Sequence, residues 1–138
     1  MNILVIDAQG GGIGKQLISE IKKEFSDTPD VRICAVGTNS VATTAMLKAG
    51  ADEAATGENP VVVAAARADV IVGPIGIVIA DSMLGEITPR MAVAVAQSNA
   101  RRILIPFNQC NNTVIGVSGM NMNVTVRSAV EEIKKYLS

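Results

Sequence analysis

The sequence predicts an α/β fold built on a mostly parallel sheet of five to six strands with helices on both faces, and three observations carry that expectation. Short apolar runs alternate with amphipathic stretches from one end of the chain to the other. Most of those runs are uniformly apolar, which is what strands buried from both sides require. The first run ends in a glycine-rich turn that opens a helix.

Ile3-Leu4-Val5-Ile6 is the first strand and passes through Asp7-Ala8-Gln9 into the glycine turn. Ile13, Leu17, Ile18 and Ile21 then recur at helical spacing, with Lys15, Glu20, Lys22 and Lys23 on the opposite side. A turn at Asp27-Thr28-Pro29-Asp30 precedes a second strand over residues 31–36, which ends at Gly37. Thr38-Asn39-Ser40 caps a helix through Lys48, and Gly50 stands where a glycine closes a helix. Residues 51–55 fit a short edge strand, residues 59–67 a short helix, and residues 68–73 the next strand.

In residues 74–87 the apolar positions Ile75, Ile79, Met83 and Ile87 fit a helical face as well as an extended run, so a helix or an ordered lid is expected. Thr88-Pro89 starts an alanine-rich helix reaching about Asn99. Strands at 103–106 and 114–117 and a closing helix over 124–137 complete the chain. The right-handed crossover rule orders the strands 3-2-1-4-5, with a sixth at the edge, in a Rossmann-like doubly wound sheet.

At 138 residues the chain fits one domain, 1–138, with no linker or internal repeat. Apolar residues make up 49% and charged residues 18%, which argues against disorder, and no apolar run is long enough to cross a membrane. The N-terminus enters a strand directly, with no secretory-signal pattern, so a cytoplasmic protein is expected. The net charge of −1, the absence of a basic stripe and the scarcity of aromatics argue against nucleic-acid binding. The two cysteines form no CxxC, which fits a reducing compartment, and no metal site is expected. The chain contains no histidine, which excludes a Ser-His-Asp triad, a Cys-His pair and an HExxH zinc site within one chain.

Ligands of doubly wound sheets bind beyond the carboxyl ends of the strands. Here the segments at those ends are Gly, amide and hydroxyl residues, and Asp7 is the one charge among them; the opposite rim carries Asp27, Asp30, Arg32, Asp52, Glu53, Arg67, Asp69, Arg101 and Arg102. Ordinary turn chemistry explains each loop singly, but the concentration on one rim indicates a crevice for a neutral or mildly anionic small molecule.

Gly10, Gly11, Gly12, Ile13, Gly14 and Lys15 are the candidate anion-binding loop, since glycines let backbone amides approach a ligand and a helix N-terminus adds partial positive charge. Close helix–strand packing is the competing explanation for these glycines. The spacing departs from the dinucleotide fingerprint. In addition, Gly37-Thr38-Asn39 stands where an acidic residue would hold an adenine ribose. As a P-loop it also fails, with Gln9 and Gln16 at the positions of the first glycine and the Mg²⁺-binding hydroxyl. Lys15 either reaches a phosphate or solvates its helix.

Thr38, Asn39 and Ser40 are expected on the sugar or base side, and Gly73, Pro74, Ile75 and Gly76 on the opposite wall. Asp7 either orients a ribose or water, or caps the turn. Asp81 and Glu86 either gain raised pKa values from partial burial or face water. Cys110 has no basic neighbour in sequence to activate it.

Over nearly its full length the chain resembles a family of small bacterial proteins known only as a domain of unknown function. The resemblance is carried by Asp7-Ala8-Gln9-Gly10-Gly11-Gly12-Ile13-Gly14-Lys15, by Gly37-Thr38-Asn39-Ser40-Val41-Ala42-Thr43, by Ala49-Gly50-Ala51-Asp52 with Thr56-Gly57-Glu58-Asn59, and by Gly73-Pro74-Ile75-Gly76 with Met83-Leu84-Gly85-Glu86-Ile87-Thr88-Pro89. It implies a Rossmann-like fold and brings no activity with it. The polar rim and the glycine loop, independently of the resemblance, point to binding of a nucleotide or phosphorylated small metabolite, as an enzyme or, with no histidine, more readily as a binder or sensor. The alternative is a non-catalytic homo-oligomeric or regulatory module in which residues 74–87 dock a partner and the glycine loop only packs. A homodimer is compatible with both.

Overall fold

In a computed structural model describing residues 1–106 and 111–137, the chain alternates strand and helix through most of its length. The strands are β1 (Asn2–Asp7), β2 (Arg32–Gly37), β3 (Glu53–Thr56), β4 (Val70–Pro74) and β5 (Arg101–Ile105). The helices are α1 (Gly12–Glu24), α2 (Ser40–Lys48), α3 (Glu58–Arg67), α4 (Pro89–Gln97) and α5 (Met122–Leu137). All strand pairs are parallel, in the order β3-β2-β1-β4-β5.

β1 lies in the middle because its side chains are apolar on both faces. Ile3 and Val5 enter one core with Leu17, Ile18 and Ile21 of α1, Met46 of α2, and Val126, Val130 and Ile133 of α5. Leu4 and Ile6 enter the other core with Val61 and Ala65 of α3 and Met91 and Val95 of α4. Each of these strand residues is at most 1% exposed, and burying one such side chain contributes roughly 1.5–3 kcal/mol. The reversal of strand order falls between β1, which pairs with β2 on one edge, and β4 on the other.

Two expectations are corrected. Residues 114–117 form turns and irregular backbone instead of a sixth strand, so the sheet has five strands among the described residues. The run gains little from burial, since Ile115 is 88% exposed and Gly116 has a φ of 90°. Residues 74–87 are not a regular helix: a single 3-10 turn, Ile75–Val78, gives way to turns with positive φ at Asp81, Met83, Leu84 and Gly85. This is an ordered loop, closed on itself by the Asp81 amide donating to the Ile87 carbonyl at 2.7 Å and the Ser82 hydroxyl to the Gly76 carbonyl at 2.5 Å. Asn108, Gln109 and Cys110 lie outside the described residues. No helix among the described residues is long and apolar enough to cross a membrane.

Thr88 joins the two helices of the second face. Its hydroxyl oxygen accepts from the Met91 amide at 3.2 Å, capping α4, and its hydroxyl donates to Glu58 Oε1 of α3 at 2.6 Å. Thr88→Ala is expected to lower the unfolding free energy by about 1 kcal/mol or somewhat more, the usual cost of a lost cap. A urea midpoint equal to wild type would show that the cap contributes nothing.

Candidate functional site

The turn after β1 is organised by a buried carboxylate. Asp7 is 4% exposed; its Oδ1 accepts from the Ala8 amide at 2.8 Å and its Oδ2 from the Gly14 amide at 2.7 Å. It thereby caps α1, whose N-cap Gly11 has no side chain to do so. Burial raises the Asp7 pKa above the ordinary carboxylate value, against the backbone bonds from Gly14, Ala8 and Ile13, and the negative charge of Glu86 adds to the rise. Of the two roles open to Asp7, the structure shows turn capping.

The glycines of the run divide into two kinds. A Cβ on Gly14 would stand 2.5 Å from Met46 Sδ and 2.9 Å from Asp7 Cβ. Gly11 has a φ of 74°, and a Cβ there would stand 2.8 Å from Ala42 Cα. Close packing therefore accounts for both. Gly10 and Gly12 differ: neither has a positive φ, and an added Cβ would meet nothing within 4 Å. Their backbone amides have no hydrogen-bond partner among the described residues. Both glycines line a crevice of about 200 Å³, with Asp7, Ile13, Pro74 and Met83 also on its walls, where the strand order reverses between β1 and β4.

Glu86 was the residue whose place sequence reasoning missed. It belongs to the loop after β4, yet its Oε1 accepts from the Gln9 amide at 2.9 Å, the Thr38 hydroxyl at 2.6 Å and the Asn39 side-chain amide at 2.8 Å. Partial burial pushes its pKa up, but the bonds from Thr38, Gln9 and Asn39 outweigh this and hold it below the usual carboxylate value. Of the two readings open for Glu86, a raised pKa or a carboxylate facing water, the raised pKa does not hold, and the rim gains a second acid beside Asp7. Asp81 is exposed. No local signal marks Glu86, because its three donors lie 77, 48 and 47 residues away along the chain.

The remaining candidates are distributed around this centre. Thr38 and Asn39 stand with Glu86 beside the glycine turn, outside the residues that line the crevice, with the Asn39 amide also donating to the Gln9 carbonyl at 3.0 Å. Lys15 and Ser40 line a separate groove between α1 and α2 with Val41, Thr44 and Lys48, so they flank the crevice without lining it. Pro74 lines the crevice, whereas Ile75 and Gly76 line a small neighbouring depression with Pro74, Ser82 and Met83. Gly73 lies beneath, where a Cβ would collide with the Ile6 carbonyl oxygen, so its absence of a side chain serves the approach of β1 and β4. The apolar residues Ile77, Met83 and Ile87 are buried in the second core, which leaves Leu84, 89% exposed, as the loop's one largely exposed large apolar side chain.

A larger groove, about 480 Å³, runs along α3 on the second sheet face. Pro60, Val63, Ala64 and Arg67 line it at helical spacing opposite Cys34, Val36 and Ala55. At the end formed by the amino ends of β2 and β3, Arg32 and Glu53 already pair at 2.9 Å. Burial, with the nearby Glu53 charge, raises the Cys34 thiol pKa, so this groove holds no activated nucleophile. Among the described residues no group of His, Cys, Asp or Glu side chains is arranged to hold a metal ion.

The family model described as Domain of unknown function (DUF3842) matches residues 2–138. No curated protein matches the chain. Among solved structures, it is similar to a dodecameric FMN-dependent Ubix-like decarboxylase from Escherichia coli O157:H7, with 17% identity and a TM-score of 0.48, over 97% of this chain and 76% of that one.

The Glu86 contacts predict a pH dependence. With the folded pKa below the ordinary 4.5, the stabilisation is present above the unfolded value and is lost as pH falls through the folded one. Protection of the Gln9 amide from hydrogen exchange is expected to hold from neutral pH to about pH 5 and to fall in more acid solution. In Glu86→Gln it should be independent of pH over that range. Wild-type protection that persists unchanged well below pH 4.5 would mean the carboxylate does not hold the loop.

Proposed function

This chain belongs to that domain family, whose description assigns it no activity, and we propose from its own residues that it binds a nucleotide or phosphorylated small metabolite at the carboxyl rim of its sheet. The observation that carries this reading is the contrast within the glycine run: Gly11 and Gly14 are accounted for by packing, while Gly10 and Gly12 face open space with ordinary φ and with amides that have no partner among the described residues. A glycine that neither packing nor backbone conformation requires suits a place where a ligand approaches the main chain. In this reading the Gly10 and Gly12 amides donate to a phosphate at the start of α1, where the aligned peptide dipoles favour an anion. Pro74 and Met83 form the far wall, with Gly73, Ile75 and Gly76 shaping it from behind and beside, and Thr38 and Asn39 lie on the sugar side.

The charges narrow the ligand. Asp7 and Glu86 already place negative charge at the rim, and Lys15 with Ser40 flanks the crevice from another groove. A single phosphate met by backbone amides suits this balance better than a polyphosphate, which would need cations in the crevice. Asp7 is scaffold, since both its oxygens accept backbone bonds. Binding or sensing therefore fits the rim better than acid–base catalysis. The alternative of a docking segment is weakened by the burial of Ile77, Met83 and Ile87.

Thermal melts against nucleoside monophosphates and sugar phosphates test this. A ligand at about a hundred times its dissociation constant should add roughly 2.7 kcal/mol to wild type. Gly12→Ala should keep or slightly raise the ligand-free melting temperature, because alanine is the better helix residue by roughly 0.5–1 kcal/mol, yet lose most of the ligand-induced shift. Gly14→Ala should lower the ligand-free melting temperature instead. If wild type shows no shift with any member of the panel, or Gly12→Ala retains the full shift, the reading is wrong.

A further inference from the structure

At the carboxyl end of β2, where a doubly wound sheet commonly carries an acid that accepts from a ribose, this chain has Gly37, Thr38 and Asn39. The structure nevertheless holds a carboxylate beside that strand end, delivered by a different segment. Glu86 Oε1 takes the Thr38 hydroxyl, the Asn39 amide and the Gln9 backbone amide, which fixes the group between the glycine turn and the end of β2. All three donors converge on one oxygen. Glu86 Oε2 has no hydrogen-bond or ion-pair partner among the described residues, and the side chain is only partly buried. A carboxylate held by one oxygen and free at the other is a preorganised acceptor for a hydroxyl group.

We infer that Glu86 is a specificity-determining residue that accepts a ribose hydroxyl, so that the rim selects ligands bearing a sugar diol over other phosphorylated molecules. This rests on the phosphate-binding reading above and adds the sugar to it. The Gly10 and Gly12 amides would hold the phosphate, and Oε2 would take the sugar hydroxyl a short distance towards β2. The folded loop of residues 79–87, closed by its own hydrogen bonds, sets the position of the acid. The hydroxyl stays protonated and donates; no covalent step is involved.

The experiment compares affinities for the four nucleoside 5′-monophosphates and their 2′,3′-dideoxy counterparts in wild type, Glu86→Ala and Glu86→Gln. Wild type should prefer the ribose form by tenfold or more, the scale expected when a charged hydrogen bond loses its partner. In Glu86→Ala that ratio should collapse towards one, and in Glu86→Gln, which keeps an oxygen for the three donors, it should fall at least threefold. If Glu86→Ala does not fold, the Glu86→Gln ratio decides. A residue that only holds the loop would weaken both ligand forms equally and leave the ratio unchanged, and one that only plugs the site would let both bind more tightly on removal; either result overturns the inference alone. Failure of wild type to bind any of the monophosphates overturns the inference, and the phosphate-binding reading falls with it when the sugar phosphates of the melting panel fail to bind as well.

Discussion

The buried carboxylate of Asp7 is the constraint on which the rim depends. A strand that ends in a glycine turn has no side chain with which to cap the next helix, and the unsatisfied amides at the start of α1 would otherwise face the interior. Asp7 bonds the amide of its own neighbour and that of Gly14 across the turn, so the end of β1 and the start of α1 become one unit. Burial opposes ionisation there, and the backbone bonds oppose the burial. With the interior amides of the turn satisfied by the protein, the two left without a partner among the described residues belong to Gly10 and Gly12, both exposed.

Glu86 extends that unit to β2 and to the loop after β4. It sits in a segment with three non-glycine residues, Asp81, Met83 and Leu84, at positive φ. Left-handed backbone costs roughly 1–2 kcal/mol per residue, so the loop would not adopt this shape for its own sake. The same turns bury Ile77, Met83 and Ile87 in the second core; full burial of such side chains contributes roughly 1.5–3 kcal/mol each, which is enough to hold the strained backbone. The position of the acid is therefore set by hydrophobic packing beneath it.

The parts of the fold legible in the sequence are those that rest on local pattern. Uniform apolar runs mark β1, β2 and β4, the Asn39 and Thr88 caps mark the starts of α2 and α4, and the crossover rule yields the strand order. Residues 114–117 read as a strand because Val114, Ile115 and Val117 are apolar, yet burial depends on neighbours the sequence does not display. Residues 74–87 carry apolar residues near helical spacing, and positive φ at Met83 and Leu84, with no glycine at either position, leaves no compositional trace. At the site, the glycine run was legible as a unit, but the division of its members between packing and open space required Met46 and Ala42 of α2. Lys15 adjoins the loop in sequence, but the turn of α1 carries it towards Ser40 and Lys48. The meeting of Glu86 with Thr38, Asn39 and Gln9 is a tertiary contact with no periodicity or motif to announce it.

The central place of β1 has a consequence for how the chain comes together as it is made. Ile3 pairs with Ile33 on one side and with Val70 on the other, so one edge of the first strand stays open until β4 has been synthesised. Until then the nascent chain holds β1, β2 and β3 with an unsatisfied apolar edge, and the second face lacks α4. Parallel pairing over such distances closes late, because the entropy of the intervening chain must be overcome before the contacts form. The half that carries the glycine turn is thus made before the elements that enclose it and is among the last parts of the sheet to be closed.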